Sequence, residues 1–196
     1  RLSNQLSHFE FKWGKFMKRL VALLIFAASS WATASPLDVV YGMEAHFGDQ
    51  GDTLAIIQYT DGTEQELKAG QGLVFYGGLR AELPLTGMAL QGTLGWKYSS
   101  SMASNIDVSK TAFPMEITGI YTLPGGAYFA GGLTSHFNPQ LKLDDTTIEY
   151  EASTGFHLKG GWKWFSLGLT SITYEYAPTG AEFDASSVSV AVQFPI

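Results

Sequence analysis

An eight-stranded antiparallel β-barrel, all-β and closed, is the fold this sequence predicts. Three observations predict it. Segments of strand length repeat a period-two alternation of apolar and polar residues, clearest at the C-terminal end. There, Val188, Val190, Val192 and Phe194 share one face and Ser187, Ser189, Ala191 and Gln193 the other. Second, short turns alternate with long polar loops along the chain. Third, no apolar run after residue 34 is long enough for a membrane-spanning helix, while a secretory leader precedes the alternating region. An exported chain of this kind can still cross a membrane if its strands close, because closure satisfies every backbone group. The expectation is therefore a transmembrane barrel with lipid outside and a polar interior.

Met17-Lys18-Arg19 is basic, Leu20 to Ala28 is apolar, and Ala32-Thr33-Ala34 carries the small-x-small pattern of a cleavage site. Nine apolar residues are too few to span a bilayer as a helix. The expected division is residues 1–16 as upstream non-native or mis-started sequence, 17–34 as signal peptide and 35–196 as the barrel domain, beginning at Ser35.

The eight strands follow in order. The first, Asp38 to Phe47, sets Val39, Tyr41, Met43 and Phe47 against Glu44 and His46. The second, Gly72 to Leu83, sets Leu73, Phe75 and Leu79 against Tyr76, Arg80 and Glu82. The third, Met88 to Tyr98, opposes Leu90, Leu94 and Trp96 to Gln91, Thr93 and Lys97. The fourth, Thr111 to Leu123, opposes Phe113, Ile117 and Tyr121 to Glu116 and Thr118. The fifth, Gly126 to Asn138, carries Phe129, Leu133 and Phe137 against Thr134 and His136. The sixth, Thr147 to Trp162, carries Phe156 and Leu158 against Glu149, Glu151, His157 and Lys159. The seventh starts at Phe165 with Leu167 and Leu169. Its apolar parity then flips at Ile172, Tyr174 and Tyr176, which a β-bulge near Thr170 or an exit from the membrane would explain. The eighth is the C-terminal segment.

Between them, Leu83–Gly87, Pro124-Gly125 and Lys163-Trp164 mark tight turns, and 48–71, 99–110, 139–146 and 177–185 mark longer loops. The first long loop contains a strand-like run, a strong Asp61-Gly62 turn and a return at Thr63 to Lys68. It reads as a hairpin projecting from the rim, because Glu64, Glu66 and Lys68 are too polar for lipid. A soluble ligand-binding barrel would show the same alternation with its faces reversed. Charges of both signs on the polar face and aromatics near strand ends, such as Trp96, Tyr98 and Trp162, favour the membrane orientation.

Residues 35–196 hold 7 basic and 17 acidic side chains, a net charge of −10, which argues against a nucleic-acid partner. With no cysteine in the chain, disulfides and thiolate metal sites are excluded.

On the runs Tyr59-Thr60-Asp61-Gly62, Leu67 to Gly72, Gly131 to Pro139 and Phe165-Ser166-Leu167-Gly168-Leu169, the chain resembles the small outer-membrane β-barrels of Gram-negative bacteria. This is the broad group of the OmpA transmembrane domain and the opacity proteins, and the likeness is to an uncharacterised, OmpA-like subfamily. The resemblance covers nearly all of 35–196. It implies a monomeric barrel of the bacterial outer membrane, in contact with lipid and lipopolysaccharide and inserted by the barrel-assembly machinery. It attaches no activity and no cofactor. The chain departs from the group's pattern at its end, where Phe194 is followed by Pro195 and Ile196.

The candidate functional residues form an expected interior polar network. It comprises Glu44, His46, Arg80, Glu82, Lys97 and Glu116 on the first four strands, and His136, Glu149, Glu151, His157 and Lys159 on the next two. Eight strands leave an interior just wide enough for side chains to fill, so buried charges must pair or hold water. Arg80 is expected to pair with Glu44 or Glu116, and Glu149 and Glu151 to serve His136 and His157. The resulting expectation is a plugged barrel without catalytic activity, with a structural or surface-interaction role. The alternatives are a lipid-A-modifying enzyme and a narrow channel. The enzyme reading is weakened because Ser135 and His136 are adjacent and so point to opposite faces of a strand. His46, His136 and His157 would form a metal site only if brought to one depth. Neither phosphate-loop nor catalytic-triad spacing is present.

Overall fold

The computed structural model describes residues 37–48, 51–59, 61–103 and 106–195. The expected leader and its cleavage site lie outside these residues. The strands are β1 (Leu37–Phe47), β2 (Thr53–Gln58), β3 (Glu64–Lys68), β4 (Gly72–Glu82), β5 (Met88–Ala103), β6 (Ile106–Thr122) and β7 (Ala127–Leu143). They continue with β8 (Thr146–Glu149), β9 (Ser153–Trp162), β10 (Phe165–Ser171), β11 (Thr173–Tyr176), β12 (Ala181–Asp184) and β13 (Ser187–Pro195). Eight of them, β1, β4, β5, β6, β7, β9, β10 and β13, form one closed antiparallel barrel. The circle closes where β1 meets β13, with Tyr41 opposite Phe194 and Phe47 opposite Val188. The two rings of the first pair meet at 5.7 Å.

The exposure of the two faces shows which way each points. Leu94, Phe156 and Leu158 are 64–68% exposed on the outer wall, whereas Glu44, Lys97 and His157 are at most 2% exposed inside. An apolar exterior around a polar interior is the orientation of a membrane barrel, and the inverse of the soluble ligand-binding barrel. Two inward tyrosines lie against glycines of neighbouring strands. A Cβ on Gly42 would collide with the Tyr76 phenol, and one on Gly161 with the Tyr128 ring. Larger residues there would push both rings off the wall and into the lumen.

The three tight turns stand where the sequence places them. Gly87, Gly125 and Gly126 take positive φ, and so does Lys163. At the opposite end the strands run further than expected. Residues 99–103 and 106–110 form the paired ends of β5 and β6, with Ser99 opposite Lys110 and Ser101 opposite Val108. Residues 139–146 likewise belong largely to the β7–β8 pairing, with Leu141 opposite Ile148. At 16 or 17 residues, β5, β6 and β7 exceed the roughly 9–11 that a tilted membrane strand needs. Where Thr111 and Phe113 of β6 face Gln140 and Phe137, β7 carries one extra residue, a β-bulge at Asn138 with φ 48°, which marks the passage from wall to extension.

The extensions enclose a second, apolar core. Ile57, Leu67, Val108, Leu141, Ile172 and Tyr174 are buried together there. This explains the parity flip after Thr170. No bulge occurs, because burial alternates without interruption from Ser166 through Thr170 and Ile172 to Tyr174. The inward face simply changes from polar to apolar as it passes from lumen to head. The expected single sixth strand is also divided: residues 150–152 separate β8 from β9, and β8 adds to the β7 edge outside the barrel circle. The β2–β3 pair shares no backbone ladder with a barrel strand, and it turns through Gly62 at φ 83°. Its Ile57 and Leu67 are sunk into the head core, so the hairpin folds over the mouth and does not stand clear of it.

Candidate functional site

The lumen is built from the inward positions of the eight wall strands. Lys159 of β9 stands at its centre. Its Nζ donates to Glu44 Oε2 of β1 at 2.7 Å and to Glu116 Oε2 of β6 at 3.0 Å. The far oxygen of each carboxylate faces a histidine: Glu44 Oε1 lies 3.5 Å from His46 Nε2, and Glu116 Oε1 lies 3.9 Å from His157 Nδ1. Each ring is held from its other nitrogen, His46 Nδ1 by Ser187 Oγ at 2.9 Å and His157 Nε2 by Thr118 Oγ1 at 2.9 Å. Five ionisable side chains thus span the barrel in one row. Desolvated carboxylates need such partners, since an unpaired buried charge costs several kcal/mol.

Small cavities flank this row. One of about 10 Å³ lies on the head side, lined by Glu44, His46, Thr93, Glu116 and His136 among others. Another of about 20 Å³ lies on the turn side, lined by Arg80, Gln91, Lys159 and Ser166 among others. Each has room for about one water molecule.

Of the expected network, Glu44, His46, Glu116, His157 and Lys159 come together. Arg80 stays in the lumen but binds no acid: its Nε donates to Gln91 Oε1 at 3.1 Å. The Gln91 and Gln193 amides pair with each other at 2.9 and 3.1 Å, and Tyr76 Oη donates to Gln193 Oε1 at 3.4 Å. The expected Arg80 pair with Glu44 or Glu116 does not form, because Lys159 already bridges both acids. His136 sits higher, with Nδ1 2.6 Å from Tyr174 Oη. The three histidines therefore have three separate partners.

Glu82, Glu149 and Glu151 correct the expectation of an interior position, since all three are exposed. Glu82 ends β4 next to the turn, and Glu149 accepts from Gln140 Nε2 at 3.1 Å on the head. Glu151 lies in the connection between β8 and β9, where the alternation that should have turned it inward is broken.

Lys97 reaches up to the head. Its Nζ donates to the Gly70 carbonyl at 2.7 Å. The sequence reading missed its companion Lys110, which it assigned to a loop. The Lys110 Nζ donates to the Lys68 carbonyl at 3.1 Å and to the Ala69 carbonyl. The even parity shared by Lys110, Ala112, Pro114 and Glu116 was the signal that could have placed it on the inner face. Tyr174, where the sequence alternation goes out of phase, is fully buried, and burial pushes its phenol pKa upward. At the tip of the β2–β3 hairpin, the Thr63 hydroxyl and amide hold the exposed Asp61 carboxyl below the usual range.

Ser135 and His136 point to opposite faces. Ser135 Oγ is 2.8 Å from Thr154 Oγ1 on the outer wall, whereas His136 is buried within. This pair therefore offers no base to its neighbouring hydroxyl.

No family model matches the chain, and no curated protein matches it. Among solved structures the chain is similar to Ail, the attachment invasion locus protein of Yersinia pestis, with a TM-score of 0.43 and 9% identity. That comparison covers 81% of this chain and 97% of Ail. A second structure of the same protein, in complex with the heparin analogue sucrose octasulfate, gives a TM-score of 0.43 and 11% identity. It covers 82% of this chain and 97% of that one.

Proposed function

We propose that this chain is a non-catalytic outer-membrane β-barrel whose lumen is plugged and whose role is carried by its folded head, as a structural or surface-interaction protein. The single observation that carries this reading is the pairing of an apolar outer wall with a lumen blocked by Lys159, Glu44 and Glu116. An exposed apolar wall around a whole barrel needs lipid to cover it. A blocked lumen leaves the wall and the head as the working surfaces. The head also invests sequence in a core of its own, which bare connecting loops would not need.

The environment that fits the wall is lipid and, on the head side, lipopolysaccharide. The head carries twelve exposed acids among the described residues against only Lys68 and Lys142. That balance disfavours nucleic acid as a partner. The leader reading, with a chain starting at Ser35 and delivered to the barrel-assembly machinery as a monomer, belongs to this proposal. The absence of catalysis is supported by the opposed faces of Ser135 and His136.

The test is fractionation with two functional assays. Protein expressed with its leader should partition with outer membranes, leave planar bilayers without steady conductance, and leave the mass profile of lipid A unchanged. A stable open conductance would put the channel in place of the plug, and altered lipid A would install the enzyme.

A further inference from the structure

Two buried ammonium groups near the mouth have no carboxylate partner among the described residues. Lys97 and Lys110 are each at most 2% exposed, and their bonds run only to the carbonyls of Lys68, Ala69 and Gly70. Each ammonium has three hydrogens to donate. Six donors thus meet three bonds. The two lysines are also close neighbours, because Lys97 stands opposite Ala112 and Lys110 opposite Ser99 on adjacent strands. Such diagonal positions lie roughly 7–8 Å apart, so the two like charges repel. Neutral or apolar side chains would hold a permanent plug without this cost.

We infer that Lys68–Gly70 is a strap that opens and closes the head-side mouth of the lumen, with Lys97 and Lys110 as its clamp. The inference goes beyond the plugged-barrel reading, and it needs only the fold, not the membrane. The clamp grips carbonyls, so it holds the backbone whatever side chains the strap carries. The strap is seated from the other side by Gly70, whose added Cβ would collide with the carbonyls of Ala185 and Ser186. In the closed position Lys68 pairs with Thr53 across β2–β3, the Ala69 amide donates to the Asp52 carbonyl at 2.8 Å, and the Ala69 methyl packs in the head core. Deeper in the lumen, four residues along the inner face of β5 from Lys97 to Thr93, lies the cavity that ends at Glu44 and Glu116. In the open form, water satisfies the idle ammonium hydrogens, and small solutes enter as far as the Lys159 bridge.

The chain has no cysteine, so single reporters are clean. Thr93→Cys places a thiol in the cavity beneath the strap, and Ser166→Cys places one in the cavity beyond the bridge. In the refolded barrel, a small thiol reagent should label Thr93→Cys slowly. Adding Lys97→Ala with Lys110→Ala, or Gly70→Ala alone, should speed that labelling at least about tenfold, the size expected from losing two or three hydrogen bonds. Ser166→Cys should keep its rate. Unchanged labelling at Thr93→Cys in folded variants overturns the strap, and an equal rise at Ser166→Cys reassigns the effect to loosening of the whole barrel. The unmodified protein supplies a measurement that depends on no variant. The Ala69 amide should exchange with deuterium far faster than the wall amides of Gln91 and Thr93. Exchange as slow as theirs would mean a fixed plug.

Discussion

Lys159 Nζ lies 2.7 Å from Glu44 Oε2, an ion pair that ties β9 to β1 across the lumen, 115 residues apart in sequence. The same ammonium holds Glu116 at 3.0 Å, so one base answers two acids on opposite stretches of wall. The pair is nearly dry: the Glu44 side chain is 3% exposed and that of Lys159 13%.

Lys159→Met should therefore be among the most costly substitutions in the barrel. It leaves Glu44 and Glu116 facing each other without a counter-charge, a loss of about 3–5 kcal/mol in a dry site and less where water enters. Urea unfolding in lipid vesicles reads the loss. Adding Glu44→Gln and Glu116→Gln to the same chain should restore a large part of it, and no restoration would show that the charges are not the cause.

Arg80→Ala should be mild by comparison. Arg80 gives one hydrogen bond to a neutral amide, worth about 1 kcal/mol, and Gln91 keeps its bond to Gln193 when the guanidinium is gone. If Arg80→Ala destabilises as strongly as Lys159→Met in the same unfolding assay, Arg80 carries an acid partner that the geometry does not give it.

Leu133→Arg should destabilise the barrel by roughly 2–4 kcal/mol if this outward position sits near the bilayer midplane. Leu133 is 45% exposed on the wall between Ile117 and Phe156, so little protein contact is lost with it. The cost arises from lipid and should largely vanish when the same substitution is measured at a position facing water, such as Ser100. Equal, near-zero costs at both positions would favour a soluble barrel.

Protein recovered from outer membranes should begin at Ser35, because Ala32 and Ala34 present the small side chains that signal peptidase accepts. N-terminal sequencing decides it, and a chain starting at or before Met17 refutes the cleavage.

The sequence by itself determined most strands of the wall, which residues share a face and the three tight turns. These are local properties. Period-two alternation puts Leu94 and Thr93 on opposite faces whatever the neighbouring strand is, and Gly87 or Gly125 marks a turn through its own backbone freedom. The charges on one face and the aromatics near strand ends favour a membrane barrel over a soluble one. Only the tertiary structure decided which charges meet. Arg80, Lys159, Glu44 and Glu116 all face inward, but strand register and tilt set their depth, and depth gave both acids to Lys159. Only the tertiary structure decided where the wall ends, too. Glu149 and Glu151 follow the strand pattern on paper, yet β8 has left the barrel circle and the chain breaks before β9. Lys110, Ile172 and Tyr174 looked like loop or phase error because their partners come from distant segments, Lys68 and Ala69 for the first and the head core for the others. Alternation reports which side of a strand a residue takes. It carries no information on what lies across from that side, because that is set by contacts between residues far apart in sequence.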